Sequence, residues 1–160
     1  MLFRRMELPD FEQIRILSRD LAQMHAHARP DIFLPPAEMN KKEFKKRAAG
    51  KDAFGIAGAD ENGILAFCFC RVKAWGLKNK AACPRRILWI DEFFVNPAFQ
   101  RRGIGAAMTL YLRQTAVQLG CDSVELEVWS FNDGARDFYV KQGFAEQSRL
   151  LELSVSQKEA

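Results

Sequence analysis

The run Gln100-Arg101-Arg102-Gly103-Ile104-Gly105 puts two cations and two glycines immediately ahead of an apolar-periodic helix. Such a run can hold an anion. The first backbone N–H groups of a helix have no internal partner. The helix dipole adds about half a positive charge at that end. Residues without Cβ let a ligand come close to the backbone, and Arg101 and Arg102 add fixed charge. Together these suit a phosphate or pyrophosphate. The run is not a Walker loop, because no Gly-Lys-Ser/Thr is present, and a G-x-G-x-x-G dinucleotide loop would need glycine where Met108 stands. The acidic residue that holds a ribose about 20 positions further on is also lacking, since Cys121-Asp122 fall there, just before a strand. On glycine spacing alone, a tight basic turn between strand and helix explains the run as well.

Four carboxylates stand out next. Asp91 and Glu92 interrupt an otherwise apolar strand. Charges inside such a strand are costly unless solvated or paired, which points to a cleft. Glu125 and Glu127 alternate with Val124, Leu126 and Val128, so they also fit the polar face of an ordinary strand. Cys68 and Cys121 have no histidine near them in sequence to activate a thiol. His25 and His27 lie two apart near a helix end, on different faces, and make a poor metal pair.

The elements that must position these residues follow from periodicity and punctuation. Residues 87–95 are apolar, aromatic and β-branched, and Asn96-Pro97 ends them as a strand. A helix runs from Gly103 to Leu119 with Ile104, Met108, Leu112 and Leu119 as its buried stripe, and Gly120 stops it. Upstream, 2–6 reads as a short strand. Asp10 with Gln13 reads as a capping box for a helix carrying Ile14, Leu17, Leu21 and Met24, which ends before Arg29-Pro30. The loop 29–36 is unusually apolar and is expected to fold over a pocket. Asn40 with Glu43 caps a second helix whose Lys41, Lys42, Lys45, Lys46 and Arg47 read as a solvated charge run. Strands over 53–59 and 64–73 flank an Asp60-Glu61-Asn62-Gly63 turn. After the central helix come a strand over 124–128, a helix from Asn132 to Gly143 and a final strand within 144–155. The order predicts one α/β domain over residues 1–160, a mixed sheet flanked by helices on both faces.

Gln100-Arg101-Arg102-Gly103-Ile104-Gly105 resembles the Q/R-x-x-G-x-G/A signature of the GNAT family of N-acetyltransferases. Phe93-Phe94-Val95-Asn96-Pro97 is similar to that family's strand and Val-x-Pro turn, and residues 126–144 resemble its second conserved block. The resemblance spans roughly 87–144 and implies the GNAT acyl-CoA N-acyltransferase fold. It implies acetyl-CoA as co-substrate, with an amine attacking the thioester directly and no metal. The backbone of Phe93, Phe94 and Val95 would pair with the pantetheine arm, across an edge opened by a bulge and a splay of the two central strands. The loop from Gln100 through Arg101, Arg102, Gly103, Ile104 and Gly105 to Ala106 would take the pyrophosphate. Asn132 would contact CoA, and Tyr139, seven residues on, would contact it and act as the acid toward the leaving thiolate. A phenol pKa of about 10 suits that role; the plain alternative is an amphipathic Tyr packed beside Phe138. Glu92 and Glu127 compete as base, since members of the family carry the base at either place. Glu127, Asn132 and Tyr139 together are similar to the protein N-terminal acetyltransferases, which the 29–36 loop and the basic second helix do not follow. In the family the segment between the first two helices walls the acceptor site. The acceptor is thus a primary amine of open identity: small amine, amino acid, antibiotic or protein N-terminus. A non-catalytic acyl-CoA-sensing module is the rival expectation. Many members of the family dimerise, which leaves a homodimer open.

Composition bounds these expectations. A chain of 160 residues with 48% hydrophobic residues and 13 Phe can bury a core. A net charge of +4 with pI near 9.0 suits phosphate-bearing ligands and is too weak to argue for nucleic acid. No apolar run reaches membrane-spanning length, and Phe3-Arg4-Arg5-Met6 is not followed by the apolar stretch of a secretion signal. Cys68, Cys70, Cys83 and Cys121 show neither C-x-x-C pairing nor zinc spacing, so buried free thiols and a cytoplasmic protein are expected.

Overall fold

Alternation of side chains along the strands decides how the core divides. On β2 (Ala53–Asp60) and β3 (Gly63–Trp75), Ile56, Cys68 and Cys70 face one side of the sheet, and Ala57, Phe67 and Phe69 face the other. Both sides are buried, which is why these strands read as nearly continuous apolar runs. Residues 1–77 and 81–155 are described in this computed structural model.

Five strands form one mixed sheet in the order β1-β2-β3-β4-β5. β1 (Leu2–Arg5), β2, β3 and β4 (Arg85–Val95) pair antiparallel, and β5 (Ser123–Glu125) joins β4 in parallel. A two-residue turn joins β2 to β3. Gly63 at its end takes φ 98°, and Asp60 Oδ1 accepts the Asn62 N–H at 2.8 Å.

Helices cover both faces of the sheet. α1 (Phe11–Ala28) and α2 (Lys41–Ala48) bury Phe11, Ile14, Leu17 and Phe44 against Phe67 and Phe69. α3 (Ile104–Gln118) buries Ile104, Met108, Leu112 and Ala116 against Ile56, Cys68, Leu88 and Ile90 on the other face. Each buried Leu, Ile, Phe or Met side chain among these stabilises by roughly 1.5–3 kcal/mol. The expected Asn40 cap is present, its Oδ1 accepting the Glu43 N–H at 2.9 Å.

Backbone contacts divide the chain into two compact units, Met1–Glu127 and Val128–Ala160. The second holds α4 (Asp133–Lys141), which Asn132 caps by accepting the Ala135 N–H at 3.1 Å.

Several expectations are corrected. Gln13 does not close a box with Asp10. The Asp10 carboxylate accepts from Arg4 and from the Glu7 N–H, while Gln13 Oε1 accepts the Ile64 N–H at 2.8 Å, tying α1 to the hairpin. Met24 is exposed, and the buried stripe of α1 runs through Ser18 and Ala26 instead. β5 stops at Glu125 rather than 128, because its ladder to β4 ends there. Residues 144–155 form no strand. Leu150, Leu151, Leu153 and Val155 are exposed, so alternation without a partner edge builds no ladder. All four thiols are free, and Cys68 and Cys70 are buried as expected, but Cys83 is exposed and Cys121 half-buried.

Candidate functional site

β4 is distorted and then loses a neighbour. Phe69 pairs with Glu92 and Cys70 with Ile90, so Asp91 is an extra residue on β4, a bulge. The parallel ladder to β5 covers only Ile87↔Ser123, Leu88↔Val124 and Trp89↔Glu125. Beyond Trp89, β4 runs on to Val95 paired with β3, with no second ladder among the described residues. From Ile90 to Val95, β4 is thus no longer laddered to β5. Phe93 and Val95 lean into the α3-side core, and Phe94 into the α1-side core, which fixes the strand.

The strand leads into the glycine loop. Asn96 Oδ1 accepts the Ala98 N–H at 3.1 Å, capping a single 3₁₀ turn over Pro97–Phe99. Gln100 Nε2 then donates to the Val95 carbonyl at 3.1 Å, so its side chain braces the loop. Arg101 (φ 61°) and Gly103 (φ 78°) are both left-handed, a conformation that costs a residue with Cβ roughly 1–2 kcal/mol. α3 starts at once. Its first helical bond is Ala107 N–H to the Gly103 carbonyl at 3.0 Å, which leaves the N–H groups of Ile104, Gly105 and Ala106 outside the helical ladder. A Cβ built on Gly103 would meet nothing within 4 Å, so the space before the helix is open. Ile104 anchors the turn with a buried side chain, leaving only its backbone to offer a ligand. Arg101 and Arg102 are exposed and have no carboxylate partner among the described residues; Arg102 lies 5.4 Å from the centroid of Phe99.

The two carboxylates on β4 are both paired. Asp91 accepts from Arg71 on β3. Glu92 is held on the other side of the sheet, where Ser18 of α1 donates to Oε2 at 2.9 Å and Arg47 of α2 pairs with Oε1. The Arg47 guanidinium carbon lies 4.1 Å from the centroid of Phe69, a cation–π contact that fixes the cation. Burial pushes the Cys68 thiol well up, helped by its bond to Cys70 (Sγ–Sγ 3.2 Å) and by the charges of Asp91 and Glu92. That keeps it a thiol rather than a nucleophile. Glu127 lies beyond the end of β5 and is exposed, while Glu125 is engaged by Arg85 at 2.9 Å and Ser123 at 2.8 Å. Ser18 and Arg47 were not singled out by sequence. The signals were a serine inside the Ile14–Leu17–Leu21 stripe and an arginine one turn after buried Phe44.

A cleft of about 320 Å³ opens between the last turns of α1 and the 29–36 loop, lined by Gln23, His27, Phe33, Leu34 and Pro35 among others. The loop forms one wall of this open cleft, and Leu34 itself stays exposed. His25 does not point to a metal: its Nδ1 lies 2.9 Å from the Leu21 carbonyl and its ring 5.3 Å from that of Phe33. Among the described residues no cluster of His, Cys, Asp or Glu is placed to hold a metal, and no helix is long and apolar enough to cross a membrane.

In the second unit, Tyr139 is half-buried on α4. Its ring packs 5.1 Å from Phe138 and 5.3 Å from Phe144. The Asn132 side-chain oxygen is used in the cap, which leaves its NH₂ for other partners.

A family model described as the acetyltransferase (GNAT) family matches residues 18–144. The chain belongs to this family. Among curated proteins, an uncharacterised N-acetyltransferase of Methanocaldococcus jannaschii is 41% identical over 63 residues, which are 39% of this chain and 28% of that protein. The GNAT chain thus aligns with little more than a quarter of that relative's length. Among solved structures, a Bacillus halodurans protein superposes with a TM-score of 0.92 at 24% identity, covering 98% of this chain and 100% of its own. An aminoglycoside N-acetyltransferase in complex with CoA superposes with a TM-score of 0.69 at 14% identity, covering 97% of this chain and 99% of its own. These likenesses show the GNAT fold for this chain.

Proposed function

We propose that the protein transfers the acetyl group of acetyl-CoA to a primary amine, as one functional domain over residues 1–160. The observation that carries this reading is the sequence of features along one stretch. A bulge at Asp91, just past the end of the β5 ladder, is followed after Val95 and within ten residues by a left-handed glycine at the unobstructed start of α3. A thin molecule with an amide-bearing arm and a pyrophosphate fits both, the arm as an added strand and the pyrophosphate on the helix N-terminus. The backbone of Phe93, Phe94 and Val95 is assigned to the arm. The N–H groups of Gly103 to Ala106, with Arg101 and Arg102, are assigned to the pyrophosphate, and Gln100 braces the loop.

The amine nitrogen attacks the thioester carbonyl and the C–S bond then breaks. Glu92 accepts the proton shed by the nitrogen, directly or through one water. It is preferred to Glu127 because it is held in a defined orientation on β4, whereas Glu127 is exposed past the end of β5. Tyr139 protonates the leaving thiolate and Asn132 contacts CoA, both on the strength of the family motif. Four free thiols support a reducing, cytoplasmic setting. The acceptor remains a primary amine of unassigned class.

Isothermal titration tests the cofactor half of this reading. CoA should bind at least tenfold more tightly than 3′-phosphoadenosine diphosphate, which lacks the pantetheine arm; that ratio corresponds to about 1.4 kcal/mol. Equal affinity for the two, or saturable preference for ATP or NAD, would overturn the assignment of the arm to β4.

A further inference from the structure

Three elements converge on the Glu92 carboxylate. β4 presents it three residues past the end of the pairing with β5, α1 supplies Ser18 and α2 supplies Arg47. The partners divide the two oxygens between them, Ser18 on Oε2 and Arg47 on Oε1. A carboxylate offers about four lone-pair positions, so this arrangement leaves one on each oxygen for a ligand. Arg47 is in turn immobilised by the face of Phe69, itself 1% exposed and the ladder partner of Glu92. The side chains of Arg47 and Glu92 are 25% and 23% exposed, so the pair is neither sealed in the core nor freely solvated. On the opposite side of the sheet, the neighbouring carboxylate Asp91 has its own cation, Arg71.

We infer that Ser18 and Arg47 are positioning residues of the transfer reaction, fixing the Glu92 carboxylate in one rotamer with a free acceptor position on each oxygen. This rests on the proposed acetyl transfer and goes beyond it, because it places an α2 arginine and an α1 serine in the machinery through Glu92. An untethered glutamate side chain samples many rotamers, and misplacement by about an ångström can cost a reaction on the order of a hundredfold. Fixing this side chain is therefore a function in itself, distinct from holding the fold together.

The test is a double-mutant cycle on kcat, with the KM for acetyl-CoA measured alongside and urea unfolding confirming that each variant folds. Arg47→Met should lower kcat by about tenfold or more with the acetyl-CoA KM within about twofold of wild type. Ser18→Ala should lower kcat less, and Ser18→Thr, which keeps the hydroxyl, should restore most of it. In a Glu92→Gln background neither substitution should reduce kcat further, because both act through that carboxylate. Losses that multiply in the Glu92→Gln background would overturn the inference while leaving the transferase reading intact. So would a raised acetyl-CoA KM with unchanged kcat. Wild-type protein that binds CoA but transfers no acetyl group to any amine would defeat the transferase reading itself, and this inference with it.

Discussion

Replacing Gly103 by alanine separates a cofactor loop from a tight basic turn, the two readings that glycine spacing leaves open. Gly103 has φ 78° and ψ 0°, and an added Cβ meets nothing within 4 Å. The substitution therefore causes no clash, and its cost to folding is backbone strain alone, roughly 1–2 kcal/mol. A smaller unfolded-state entropy returns about 0.4–1 kcal/mol where a conformation is tolerated, so a net loss of about 1 kcal/mol is expected. That strain is common to the free and bound protein and cancels from the binding equilibrium. A pyrophosphate accepting from N–H groups at about 2.9 Å occupies the space the methyl group would enter, and that conflict does not cancel. CoA affinity should fall at least tenfold, about 1.4 kcal/mol, and further for Gly103→Val. Urea unfolding of the free protein and calorimetric titration with CoA measure the two effects separately. A folded Gly103→Ala variant, about 1 kcal/mol less stable, that binds CoA within twofold of wild type would refute the loop assignment.

Other consequences are equally open to measurement. Tyr139→Phe should lower kcat by about a hundredfold, in the range of general acid catalysis, with CoA affinity unchanged by titration; full activity would remove Tyr139 from the reaction. Glu92→Gln should lower kcat at least tenfold while Glu127→Gln stays within about threefold, and the reverse ranking would move the base to the end of β5. Burial pushes the Asp10 carboxyl up, but the Arg4 guanidinium and the Glu7 N–H outweigh it and hold it below the usual value. A depressed carboxyl contributes stability above its unfolded pKa of about 3.9, and the contribution is lost as pH falls through the folded value. Asp10→Asn should therefore cost about 1–3 kcal/mol in urea unfolding at neutral pH, with the gap to wild type closing as pH drops below about 4. A gap that does not change with pH would contradict the pairing.

Legibility followed from how local each signal was. The central strand, the glycine loop and α3 could be read because apolar period, Asn-Pro punctuation and glycine placement all lie within 25 or so residues of one another. The same holds for the Asn40 and Asn132 caps, whose partners are three residues away. The partners of Glu92 were hidden because they come from 74 and 45 residues upstream, and the local cue for Arg47, its place one turn after buried Phe44, names no partner. Gln13 misled for the same reason: its spacing from Asp10 fits a capping box, yet its partner is the N–H of Ile64. Residues 144–155 and 126–128 show the other limit. Alternation reports that a segment is suited to a ladder, not that an edge is there to receive it. The end of the β4–β5 ladder at Trp89 is itself a feature that the proposed cofactor site rests on.

The central claim is acetyl transfer from acetyl-CoA to an amine, and mass spectrometry of products tests it most directly. The protein would be incubated with acetyl-CoA and a panel of polyamines, amino acids, aminoglycosides and short peptides with free N-termini, with Tyr139→Phe in parallel. The expected result is an acetylated amine that forms with wild type and is strongly reduced with the variant. No product from any amine, with CoA binding still demonstrable, would contradict the claim and leave an acyl-CoA-sensing module in its place.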